Sequence, residues 1–220
     1  MVFSDLYFLF VFLPAFLLCY LLATGIDRIR GTKGREQGEE KTFTARNWAI
    51  VVFSLIFYAW GEPVYVFLLL FCVLMNYVAG LVIDRTRRHR KAALVGGLTV
   101  NILILASFKY LGFLAQCLCD VGLAVPVPNI ALPIGISFYT FQSISYLIDV
   151  YRRESPVQRR FGGLLLYISM FPQLIAGPIV RYGTIAQEIH NRKVEAKDMA
   201  DLLTSVKNYS RKRKKLIMKL

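Results

Sequence analysis

Runs of about twenty apolar residues, separated by turns and short clusters of Lys and Arg, leave this chain few choices of fold. Residues 3–22, 64–83 and 92–114 are each long enough to cross the hydrocarbon core of a bilayer as helix, and 48–60 is short for a full crossing. With 220 residues and 56 % apolar content, the expected class is all-α, a polytopic bundle of transmembrane helices whose partner is the lipid bilayer. Residues 3–22 read as a retained span. No Lys or Arg precedes them, and the run exceeds the core of a signal peptide.

Charge then orients the spans. The net charge of +13 does not point to nucleic acid, because the basic residues sit in short loops between apolar runs. Residues 24–47 carry Arg28, Arg30, Lys33, Arg35, Lys41 and Arg46 and are expected in the cytoplasm. Gly61-Glu62-Pro63 turns the chain outside, with Trp48 and Trp60 as interfacial anchors. Residues 85–91 form a second cytoplasmic basic loop. Residues 115–130 hold no Lys or Arg and are expected outside, and Arg152, Arg153, Arg159 and Arg160 return the chain to the cytoplasm.

The most informative stretch runs from 132 to 182. Pro133 is expected in the first turn of a helix, where its missing N–H costs nothing. From there Gly135, Tyr139, Gln142, Ser143, Tyr146 and Asp149 recur at helical spacing as one polar stripe. Such a stripe must face protein or a water-filled cavity in hydrocarbon. Further on, Pro172, Gly177 and Pro178 interrupt an apolar run. Residues 161–180 are long enough to cross, yet Arg181, Arg192, Lys193 and Lys197 follow them. Basic flanks on both sides imply a re-entrant segment bending at Pro172 or at Gly177-Pro178; a sixth crossing against the charge rule is the alternative. Tyr139, Gln142, Ser143, Tyr146 and Gln173 are the candidate cavity-lining residues, and a kinked packing helix is the blander reading.

Chemistry is sparse elsewhere. The chain has no phosphate loop, nucleophile elbow or H-E-x-x-H motif. All 14 acidic residues fall in loops or at span ends, so no buried carboxylate pair or proton relay is visible. His89 and His190 sit in polar stretches and read as solvated, and Lys109 is placed to snorkel. Cys19 and Cys72 read as packing residues, while the spacing of Cys117 and Cys119 is not that of a metal site. No catalytic residue and no metal ligand is assigned. Residues 1–200 read as the membrane domain. Residues 201–220 form a dense basic tail, read as a truncated or divergent end or as a segment that binds an anionic leaflet.

In several of these stretches the chain resembles the membrane-bound O-acyltransferase family, in the bacterial branch of alginate O-acetylation and teichoic-acid D-alanylation. The matching phrases are FYAWGEP at 57–63, Asn76-Tyr77 with Gly80 and Ile83, Phe108-Lys109-Tyr110, LPIGISFYTFQSISYLIDVYR from 132, and FPQLIAGPIVRY at 171–182. The resemblance implies a partial ring of helices around a funnel in a bacterial cytoplasmic (inner) membrane. It also implies an acyl thioester donor, acetyl-CoA or an acyl carrier, with no cofactor held by the protein. Its partners would be an extracytoplasmic acyltransferase and a polysaccharide acceptor of the alginate type. Family members are about twice as long, with their catalytic histidine in the part that would follow residue 220. The expectation is therefore a fragment, inactive by itself, of an enzyme that O-acetylates a polysaccharide. A short non-enzymatic multi-pass scaffold subunit is the competing reading.

Overall fold

The computed structural model describes residues 6–33, 44–86, 88–122, 131–176 and 181–184. Among these residues the chain is helical and contains no strand. A π-helical turn, Phe8–Phe12, leads into α1, Leu13–Lys33. The cause is Pro14, which has no N–H for the Phe10 carbonyl and whose ring crowds that oxygen; the Leu13 N–H reaches back to Phe8 instead.

Residues 24–33, expected as part of a loop, continue α1 instead. The hairpin to α2, Ala45–Gly61, explains the extension. The Asp27 carboxylate of α1 accepts the Ala45 N–H at 2.8 Å, the Arg46 N–H at 3.1 Å and the Arg46 side chain at 3.1 Å. Thr44 also accepts from the Asn47 N–H through its side chain. The first N–H groups of a helix have no partner within it, and a negative charge there is favourable. A continuous α1 is what carries Asp27 to that position.

Helices α3, Tyr65–Arg85, α4, Arg90–Asp120, and α5, Ile136–Arg152, pack on one another. Residues 115–120, expected outside the span, prolong α4 to about 46 Å of helix, more than hydrocarbon alone accommodates. Two glycines set the close approaches. A Cβ on Gly80 would lie 2.7 Å from the Tyr146 hydroxyl, and one on Gly97 would lie 2.7 Å from Leu147 Cδ1. Asn76 and Asn101 join α3 to α4 by a reciprocal amide pair, 3.1 and 2.8 Å. Each also donates to the carbonyl four residues back in its own helix, Cys72 and Gly97.

Pro133 lies ahead of α5 rather than in its first turn. Its carbonyl accepts the Ile136 N–H, and Gly135 at φ 76° is the N-cap. That left-handed backbone suits a residue without a side chain. At the other end Arg153, at φ 61°, closes α5: its N–H bonds to the Val150 carbonyl and the Glu154 N–H to the Asp149 carbonyl. This is a Schellman cap built on a non-glycine residue.

Helix α6, Phe161–Ser169, is about 14 Å long and cannot cross a bilayer alone. Gly163 and every residue from Leu164 to Ser169 are buried, against α2, α3 and α5. The axis breaks at Met170 and resumes as α7, Phe171–Ala176, with Pro172 in its first turn. A Pro at 172 would force its ring against the Ile168 carbonyl in a continuous helix, so the interruption falls just ahead of it. The freed Phe171 N–H donates to Ser54 of α2 at 3.2 Å. Around it Phe8, Phe12, Phe16, Phe57 and Phe171 stack at centroid distances of 5.4–6.3 Å.

The described parts of this segment run along α5 and are found again near its other end. The segment starts beside Arg159, whose carbonyl accepts from Tyr77 at 2.7 Å, at the end of the bundle where the basic loops lie. It reaches inward until Leu174 meets Gly135 at the opposite end of α5. By Tyr182 and Gly183 the chain is back against Tyr146 and Ser155. Gly177 and Pro178 lie outside the described residues. Among the described residues three helices, in windows Phe10–Asp27, Tyr65–Arg85 and Arg90–Asp120, are long and apolar enough to cross a membrane, in keeping with an all-α polytopic membrane protein.

Candidate functional site

The polar stripe of α5 is buried in protein. Tyr139, Gln142, Ser143, Tyr146 and Asp149 all face inward, and Phe138 and Phe141 of the same helix are exposed. Tyr139 and Tyr146 are two turns apart, roughly 10 Å along the axis, and they serve different surroundings.

Towards the basic end, Tyr146 is held from three sides. Its hydroxyl accepts the Gln158 N–H at 3.2 Å, its ring packs edge-on to Tyr182 at 5.1 Å, and Gly80 leaves room for its tip. Tyr182 also meets Tyr167 of α6 at 5.3 Å. This part of the stripe is a packed joint where α3, α5, α6 and the returning chain meet.

Away from the basic end, the surroundings are less saturated. The hydroxyls of Tyr58, on α2, and Tyr139 approach each other without closing a hydrogen bond of normal geometry. The Glu62 carboxylate and the buried Cys72 thiol lie within electrostatic reach of both. Glu62 Oε2, Gln142 Oε1, Ser143 Oγ and Ser169 Oγ are buried with no hydrogen-bond partner among the described residues. Buried polar atoms are nearly always paired, so these unsatisfied oxygens make this part of the stripe the candidate site.

Glu62 stands at the end of a span, where the acidic residues are expected. One turn after Tyr58, it closes the C-terminus of α2 and turns an oxygen inward. Asp149 is buried, in the last turn of α5. The pairing of Tyr58 with Glu62 at helical spacing was the available signal for the inward Glu62 oxygen. Gln173 is buried in α7. Lys109 is exposed on α4 with its ammonium 5.5 Å from the Tyr110 ring. His89 is exposed at the N-cap of α4, and His190 lies outside the described residues. Cys72 packs, but Cys19 is exposed on the outer face of α1, where the sequence reading had it packed. No group of acidic, Cys and His residues suited to a metal occurs among the described residues.

An alignment 200 positions long, covering 87 % of the chain, gives 36 % identity with a probable alginate O-acetylase AlgI of Pseudomonas syringae pv. tomato and with another of Pseudomonas aeruginosa. The chain is a relative of these O-acetylases. This accords with its resemblance to the membrane-bound O-acyltransferases. A peptidoglycan O-acetyltransferase of Helicobacter pylori aligns at 27 % identity over 219 residues. The chain spans about a third of the length of the O-acetylases it matches, 35 % in both Pseudomonas proteins. No family model matches the chain, and no solved structure matches it significantly. The phrases that carry the resemblance hold the joints just described: Glu62 and Tyr58, Asn76, Gly80, Gly135, and the stripe of α5.

Proposed function

We propose that these helices belong to a membrane O-acetyltransferase that modifies a bacterial polysaccharide, of the alginate or peptidoglycan kind, from the cytoplasmic membrane. The acetyl group would come from a thioester, acetyl-CoA or an acyl carrier, and an extracytoplasmic acyltransferase would complete its delivery. Similarity to O-acetylases over most of the chain supports the reading. The observation that carries it is the set of unsatisfied buried oxygens between α2, α5 and α6.

Those groups suit a passage for a polar acyl carrier or acceptor. Tyr58, Tyr139, Gln142 and Ser143 donate and accept hydrogen bonds, and Glu62 can hold a hydroxyl by accepting its proton in a hydrogen bond. None of the hydroxyls or the amide is a base at neutral pH, and no proton-transfer role is assigned to the exposed His89. The role given to this chain is therefore lining and orientation, worth rate through position.

Gln142→Leu introduced at the native locus tests the reading. Expected is a fall of more than about tenfold in polysaccharide-bound acetate with membrane abundance unchanged, because the Gln142 carbonyl oxygen has no partner to lose and even a made interhelical hydrogen bond is worth only about 0.6 kcal/mol in a membrane. Ser107→Ala, whose hydroxyl bonds only to the exposed α4 backbone at Leu103, is the control. Acetate at the wild-type level, with the Gln142→Leu protein at wild-type abundance, refutes the lining role. Polysaccharide that carries no acetate in the parent strain refutes the acetyl-transfer reading itself.

A further inference from the structure

At the basic end of the bundle, the C-terminus of α3, the N-terminus of α4 and the C-terminus of α5 enclose a cavity of about 410 Å³. Asp84, Arg85, Arg90, Arg153, Glu154 and Ser155 supply its polar walls. The Arg90 guanidinium is placed by the protein for two tasks. One terminal nitrogen donates to the Val150 carbonyl at 3.0 Å, which also accepts the Arg153 N–H, and to the Tyr151 carbonyl, and the group lies 5.1 Å over the Tyr151 ring. Its Nε is buried and has no acceptor. A charged donor kept from water in this way calls for an acceptor of opposite charge.

The charge of the walls is also positive. Three arginines line the cavity against two carboxylates, and Glu154 is drawn outward to Arg152 at 2.9 Å. Helix α4 starts here with 31 residues of aligned dipoles, no side-chain cap and no acidic residue in its first turn. Ser155 is buried and adds a hydroxyl beside the chain at Gly183. Three arginines around one cavity, with net positive charge, fit a compact oxyanion with several acceptor oxygens.

We infer that this cavity is a phosphate site, filled by the phosphodiester of an anionic phospholipid or by a soluble phosphate ester. The site lies more than two helical turns from the Tyr58–Tyr139 cluster and stands independently of the acetyl-transfer reading. The basic loops that end α3 and begin α4 put it where the headgroups of the leaflet lie.

The test uses the whole chain purified in detergent and reconstituted in nanodiscs of phosphatidylcholine with or without phosphatidylglycerol. Bound lipid is read by native mass spectrometry, and inorganic pyrophosphate is titrated as a soluble competitor. Expected is retention of phosphatidylglycerol that weakens about tenfold in Arg85→Gln/Arg153→Gln, the scale of one lost charged hydrogen bond. Asp84→Asn removes a negative wall charge and tightens retention, a change no unfolded protein would mimic. Displacement by pyrophosphate, or pyrophosphate binding without lipid, identifies the soluble phosphate ester as the source. The inference is overturned if the wild type retains neither probe, or if Asp84→Asn and a folded double Gln variant bind as it does.

Discussion

Breaking one half of the Asn76–Asn101 pair should destabilise the bundle more than removing both halves. The pair lies in the apolar middle of α3 and α4, with two amide bonds across the interface and one to each helix's own backbone. Asn101→Leu preserves volume approximately and leaves the Asn76 carbonyl oxygen and one of its N–H bonds without a partner at a site of full burial. An orphaned buried polar group costs about 1–3 kcal/mol, whereas replacing both partners by apolar groups is close to neutral. Each single Leu variant should therefore lose about 2 kcal/mol, and Asn76→Leu/Asn101→Leu about 1 kcal/mol. The coupling energy is then on the order of 2–3 kcal/mol, within the range seen for contacting residues. Reversible unfolding in mixed micelles, followed by tryptophan fluorescence and far-ultraviolet circular dichroism, measures the cycle. Single variants whose losses sum to that of the double, within about 0.5 kcal/mol, would refute the reasoning.

Three other expectations follow from the same packing. Gly80→Ala should cost about 1–3 kcal/mol by overpacking, and Tyr146→Phe in the same chain should recover part of it, because the nearest clashing atom is the hydroxyl; no recovery in thermal melts would place the clash elsewhere. Arg153→Gly should raise stability by about 1 kcal/mol, since the left-handed C-cap strains any residue with a side chain, and a drop in melting temperature would contradict this. In a chain freed of cysteine, Arg159→Cys and Thr184→Cys should label from the same side of the membrane and Gly122→Cys from the other; opposite labelling of 159 and 184 would replace the re-entrant path with a crossing.

Much of the architecture was legible because lipid imposes a simple rule. Apolar length marks α1, α3 and α4, and the period of the stripe marks the buried face of α5 before any contact is known. Helix ends were less legible. Residues 24–33 read as loop from their charges, but Asp27 earns its helical place by capping α2, a partner eighteen residues away. Residues 115–120 read as loop from the absence of basic residues, which reports sidedness and says nothing of backbone. Glu62 read as a turn residue, and its inward oxygen depends on where α5 brings Tyr139.

The sequence by itself determined the class of solvent, the number of long helices and the sense in which basic ends gather on one side. These depend on local composition, which transfer into hydrocarbon reads residue by residue. Only the tertiary structure decided that the stripe of α5 divides into a saturated joint at Tyr146 and an unsaturated one at Tyr139 and Gln142. It also decided that α6 is a buried core helix, and that three helix ends close a positive cavity around Arg90. Hydrogen-bond satisfaction is a property of pairs distant in sequence, so no reading of one helix face can tell which polar groups find a partner and which are left open.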